Sequence, residues 1–130
     1  MKFSKLLMAT AGALGLLLST AGLAQERSIL NKVLDNGVLK VGTTGDFNPM
    51  SFKDPETKEY MGHQIDAAKQ LAEDMGVDVE FVPTDWKTLI NGVVAGKYDI
   101  VMTGTSMTVS RAKAAGYTIP WGRTGYLPLT

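Results

Sequence analysis

Apolar positions along this chain fall into alternating blocks of helical and strand-like spacing. Residues 28–35 put Ile29, Leu30, Val33 and Leu34 on one side of a helix, the spacing of an amphipathic face. Asn36-Gly37 ends it, because Gly accepts the left-handed backbone of a helix C-terminus. Val38-Leu39-Lys40-Val41-Gly42-Thr43 reads as a first strand, and residues 54–59 as a polar turn. A second helix over 65–75 gathers Ile65, Ala68, Leu71, Ala72 and Met75 on one face and stops at Gly76. Residues 77–83 alternate as a second strand. Asp85 is placed to cap a third helix through Trp86, Leu89, Ile90, Val93 and Val94, closed by Gly96. Residues 98–103 form the third strand. Ser110 then caps a short helix carrying Arg111, Ala112 and Ala115, followed by an extended piece at 117–121 and a strand-like piece at 126–129. Regular alternation of helix and strand predicts an α/β fold with a largely parallel sheet flanked by helices.

In such sheets ligands sit outside the carboxyl ends of the strands. That rule brings three loops to one rim: Thr43-Thr44-Gly45, Thr84-Asp85-Trp86 and Thr103-Gly104-Thr105-Ser106. The third is the richest in chemistry. An apolar strand runs into a hydroxyl-bearing turn, and Arg111 follows five residues after Ser106. A guanidinium matches the two oxygens of a carboxylate, and turn amides ahead of a helix point at the same anion. Each charge-assisted hydrogen bond contributes roughly 1.5–3 kcal/mol. The plainer reading is a turn–helix connection with a surface Arg. Phe47 stands either as a wall against a ligand side chain or as a loop anchor on the sheet, and Trp86 either as wall or as core. Asp46 and Asp85 are the acids nearest the rim, able to pair with a ligand ammonium, although Asp85 is more simply a cap. Asp66 suits a helix start. His63, the single histidine, lacks a sequence partner for ligation or nucleophilic chemistry and reads as structural or surface.

The first 24 residues have the marks of a cleaved export signal. Lys2 and Lys5 precede an apolar run over 6–18, and Gly22-Leu23-Ala24 offers small residues for cleavage. The run is shorter than the roughly 20 residues of a membrane-spanning helix. Cleavage after Ala24 would leave 11 basic and 13 acidic residues, a net charge of −2. That balance, with no basic stripe, excludes a nucleic-acid binder. The absence of Cys excludes disulfides, thiolate metal sites and a Cys nucleophile. The acids of 54–59 lack the spacing of a calcium loop, Thr105-Ser106 has no His partner, and no phosphate loop with Lys is present. No metal, cofactor or catalytic residue is expected.

The chain resembles the amino-terminal part of a family 3 (type II) periplasmic solute-binding protein, the amino-acid-binding component of ABC importers. The resemblance runs through Gly37-Val38-Leu39-Lys40-Val41-Gly42-Thr43, then Phe47-Asn48-Pro49-Met50-Ser51-Phe52 and residues 62–67. It continues through Trp86-Lys87-Thr88-Leu89-Ile90, residues 96–102, Thr105-Ser106-Met107-Thr108 with Arg111, and Tyr117-Thr118-Ile119-Pro120. It implies that Arg111 clamps the α-carboxylate, that Ser106 and Gly104 add polar groups, that Phe47 and Trp86 sandwich the side chain, and that Thr44 touches the ligand. It also implies a monomer in the periplasm, with an amino acid or small carboxylate as ligand and a membrane permease as partner. Two departures stand out. His63-Gln64 replaces the usual aromatic and acid after Gly62, read as a surface change. Gly104 replaces a frequent Ser or Ala, removing a hydroxyl.

Family members have two lobes, so residues 25–130 are expected to be an incomplete first lobe with the second absent, binding weakly at best. The rival reading is enzymatic. Val41-Gly42-Thr43-Thr44-Gly45-Asp46-Phe47 and Pro83-Thr84-Asp85-Trp86 also resemble cyclohexadienyl dehydratases of the same fold. Their acid would lie in the missing lobe. A sensory lobe of a membrane signalling protein is the third class.

Overall fold

The computed structural model describes residues 28–120, 122 and 123. The expected export signal at 1–24, Trp121 and the expected strand-like piece at 126–129 lie outside these residues. Helix α1 (Ile29–Asn36) leads directly into strand β1 (Val38–Thr43). Gly37 between them has φ +69°, and its amide donates to the Val33 carbonyl at 2.9 Å. Only Val33 of α1 is buried; Ile29, Leu30 and Leu34 are exposed.

β1 is the centre of a parallel sheet. It pairs along its length with β5 (Asp78–Pro83), Val38 opposite Asp78 and Thr43 opposite Pro83. On its other side lies the short β6 (Ile100–Val101), so the strand order is β5-β1-β6. Helix α2 (His63–Met75) connects β1 to β5, and α3 (Leu89–Val94) connects β5 to β6. The chain steps from β1 out to β5 and then back across β1 to β6, so right-handed crossovers put these helices on opposite faces. On one face Leu39 and Val41 pack with Val33, Ala68 and Ala72 into the core. On the other, Gly42 meets the buried ring of Tyr98. The Tyr98 hydroxyl lies 2.7 Å from the Leu89 carbonyl and tethers α3 to the sheet. Gly92 makes this possible, since a Cβ there would overlap the Tyr98 oxygen. Asp99 accepts the Lys40 amide at 3.0 Å and so joins the start of β6 to β1.

A small antiparallel sheet departs from the expected pattern. β2 (Asp46–Phe47), β3 (Ser51–Lys53) and β4 (Tyr60–Met61) pair in the order β2-β3-β4. The polar turn at 54–59 is the loop of its second hairpin, where Asp54 accepts the amides of Glu56 and Thr57 at 2.8 Å. Carbonyls of Pro49 and Met50 accept the amides of His63 and Gln64. The loop therefore satisfies the first donors of α2, and the helix starts at His63, two residues earlier than its apolar face suggests. Leu71 of that face is exposed. α3 begins later than expected, at Leu89. Asp85 accepts the amides of Lys87 and Thr88 at 2.8 and 2.9 Å, which holds a turn over 86–88 ahead of the helix. The last helix, α4 (Val109–Ala112), is capped by Thr108 rather than Ser110. The Thr108 hydroxyl accepts the Arg111 amide at 3.3 Å, leaving Ser110 inside the helix and Ala115 beyond it.

Candidate functional site

The order of strands reverses at β1, and the crevice outside the carboxyl ends at such a point is where α/β sheets place ligands. The loops leaving β1, β5 and β6 meet there. The loops after β1 and β6 join at the fully buried Thr103. Its Oγ1 lies 2.7 Å from Thr44 Oγ1 and 2.7 Å from Ser51 Oγ, and accepts the Thr44 amide at 3.2 Å. One hydroxyl thus ties the loops after β1 and β6 to β3.

Gly104 follows with φ +76°, and a Cβ built on it would stand 2.7 Å from the Phe47 ring. A larger residue is excluded twice, by backbone strain and by the ring. The absent side chain that looked like a lost hydroxyl contact is the space that Phe47 fills. Phe47 and Trp86 meet edge to face, with ring centroids 5.7 Å apart at 80°, a favoured aromatic geometry. Both remain more than a third exposed, so neither is core. Trp86 Nε1 donates to both oxygens of Asp46, at 2.9 and 3.0 Å. Asp46 is therefore engaged with the indole.

Arg111 is half-buried, and its Nη1 donates to the Ser106 carbonyl at 3.1 Å. The guanidinium thus lies against the hydroxyl turn, with donors besides Nη1 to offer an anion. Phe47, Gly104 and Ser106 line one open groove of about 650 Å³, together with Met50, Gln64, Thr105 and Met107. Thr44, Trp86 and Arg111 do not line it. Thr44 joins the cluster through Thr103, Trp86 through Phe47, and Arg111 through Ser106.

Gln64 corrects one expectation. It is only 8% exposed and faces the groove, so its place is not a surface position. The early start of α2 under the 49–50 loop draws it inward. Thr103, placed on the rim with the 103–106 loop but not as its junction, and Met50 were not among the expected ligand residues. Thr103 had a usable signal in the hydroxyl run 103–106; Met50 had none beyond its neighbourhood to Phe47.

The Asp85 carboxyl is held below the usual carboxylate range by the Thr88 hydroxyl and then the Lys87 amide. Backbone amides of Thr57 and Glu56 do the same for Asp54. Both acids serve turns.

Residues 39–127 match the bacterial extracellular solute-binding proteins, family 3. The chain is 39% identical over 114 residues to the cyclohexadienyl dehydratase of Pseudomonas aeruginosa, covering 88% of this chain and 42% of that protein. It is 30% identical over 100 residues to the L-cystine-binding protein TcyJ of Escherichia coli, covering 77% and 37%. Among solved structures, a mutant of domain 1 from TmArgBP in its arginine-bound form is similar, with a TM-score of 0.69 and 30% identity. The match covers 74% of each chain. The aligned parts amount to about two fifths of the curated relatives' own lengths. The fold is that of a type II periplasmic-binding-protein lobe. By the match over most of its length, the chain belongs to family 3 of the bacterial extracellular solute-binding proteins.

Proposed function

We propose that residues 25–130 are the first lobe of a periplasmic protein that captures an amino acid or related small carboxylate for an ABC importer, exported by a signal at 1–24. The observation that carries this reading is the Arg111 guanidinium bonded to the Ser106 carbonyl, on the turn that also holds Gly104 under the Phe47–Trp86 corner. Arg111 takes the α-carboxylate. Amides and hydroxyls of the 104–106 turn and the Thr44 hydroxyl complete the polar shell, and the aromatic corner receives the side chain. A second lobe supplies the opposing wall and the ammonium partner, and a membrane permease receives the ligand. The protein acts as a monomer and makes or breaks no bond.

One lobe covers a ligand from one side only, which argues for weak capture. The arginine-bound form of a mutant of domain 1 from TmArgBP supports capture, if weak, by a lobe on its own. A thermal-shift and calorimetric panel of L-amino acids and small carboxylates tests it. A millimolar amino acid is expected to stabilise the protein, and Arg111→Ala to abolish the response. An equal response in that variant overturns the clamp.

The dehydratase of P. aeruginosa and the two motifs ending at Phe47 and Trp86 favour a second reading, an enzyme of that kind. There Arg111 and the hydroxyls would hold a dicarboxylate while an acid on the second lobe protonates the leaving hydroxyl, which departs as water as the ring carboxylate leaves as CO2 and its bonding pair aromatises the ring. Phenylpyruvate formation from prephenate by the full gene product would establish it in place of the first.

A further inference from the structure

Trp86 stands on the turn after β5, and Asp46 begins β2, 40 residues earlier. The indole N–H reaches both carboxylate oxygens at 2.9 and 3.0 Å. Packing alone does not fix this indole. Trp86 is 36% exposed, its neighbour Phe47 is 39% exposed, and the two touch edge to face. Phe47 itself is placed by the space above Gly104. The remaining freedom of the indole, rotation about its own side-chain bonds, is what the carboxylate removes. A hydrogen bond to a charged acceptor biases such a choice by about tenfold or more.

We propose that Asp46 is a positioning residue of the ligand site: it locks the Trp86 indole in the plane that makes a corner with Phe47, and thereby favours ligands with flat side chains. The inference rests on the amino-acid-binding reading above. With both its oxygens turned to the indole, Asp46 acts through Trp86 and does not meet the ligand. A flat, delocalised group such as a guanidinium gains from stacking on an indole whose plane is fixed. A compact aliphatic side chain has no plane to match and gains little from the lock.

The test uses the protein labelled with 5-fluorotryptophan, which reports Trp86 beside Trp121; the Trp86 signal is assigned with Trp86→Phe. L-arginine and L-alanine are the probes, titrated by calorimetry. In Asp46→Ala the Trp86 fluorine resonance is expected to move and broaden, and arginine affinity to fall about tenfold, with alanine affinity changed less than threefold. Asp46→Asn keeps a neutral oxygen acceptor for the indole and is expected to fall between Asp46→Ala and the unmodified protein. An unmoved fluorine resonance in Asp46→Ala overturns the proposal. So does an Asp46→Ala variant in which arginine and alanine affinities fall equally, which would leave the indole plane without a part in selectivity. If the unmodified protein binds no amino acid, the amino-acid reading fails and the preference for flat side chains falls with it. The fluorine response still decides whether Asp46 positions Trp86.

Discussion

Thr103 is a small residue with a large share of the site's geometry. Its hydroxyl holds Thr44 and Ser51 at 2.7 Å each, and Ser51 is as fully buried as Thr103 itself. Thr103→Val keeps the shape and removes the oxygen. It is expected to cost about 1–3 kcal/mol, because the Ser51 hydroxyl then sits in the interior without that partner; urea denaturation measures it. Gly104→Ala acts differently. The added methyl meets the Phe47 ring at a positive φ, so about 1–3 kcal/mol of strain is expected, with a changed aromatic circular dichroism signal as the ring is displaced. The contact of Arg111 with the Ser106 turn was legible in the sequence because a guanidinium five residues past a hydroxyl turn is a local pattern. Gln64 and the Asp46–Trp86 bond were not. Each depends on a contact between segments far apart in the chain, which no local spacing encodes.

Whole elements were read with uneven success for a similar reason. β1 and β5 are six residues each and α2 thirteen, long enough for their periods to show. β2, β3 and β4 have two or three residues each, too few for alternation to register, and their pairing is fixed by the turns between them. Helix starts were misjudged where carbonyls or carboxylates from outside the helix satisfy its first amides, as at His63 and Leu89. Tyr98→Phe tests the tether of α3. Losing the hydroxyl that bonds the Leu89 carbonyl is expected to cost about 0.5–1.5 kcal/mol in chemical denaturation. The capping turns carry a pH dependence of known sign. The carboxyls of Asp54 and Asp85 are held below the usual carboxylate range by the amides and hydroxyls of their turns. Their contribution to stability is present above the unfolded value and lost as pH falls through the lower folded values. Carboxyl-carbon titration by NMR should show midpoints below that of an unfolded aspartate for both, with the Thr57 and Thr88 amide resonances moving in step.

At the scale of the molecule, a three-stranded parallel sheet with β1 at its centre orders the site. Every rim loop leaves the same end of that sheet, which is why groups from residues 44, 47, 86, 104, 106 and 111 form one connected cluster. The α/β class and parallel sheet were legible because helix and strand alternate; the antiparallel β2–β4 unit was not. Export, which the proposed function requires, is open to direct measurement. The mature protein recovered from the periplasm of an expressing cell is expected to begin at Gln25, with 24 residues removed, as intact-mass spectrometry would show. A mass retaining residues 1–24 contradicts that reading.

The threonine junction also has a limited supply of protons. Thr103 Oγ1 offers one proton and two lone pairs, and the Thr44 amide occupies one lone pair. One donation and one acceptance are left for its two hydroxyl neighbours, Thr44 Oγ1 and Ser51 Oγ. Whichever of the two receives the Thr103 proton, the other must give its own, so a ligand that turns the half-buried Thr44 hydroxyl reorients the sealed Ser51 as well.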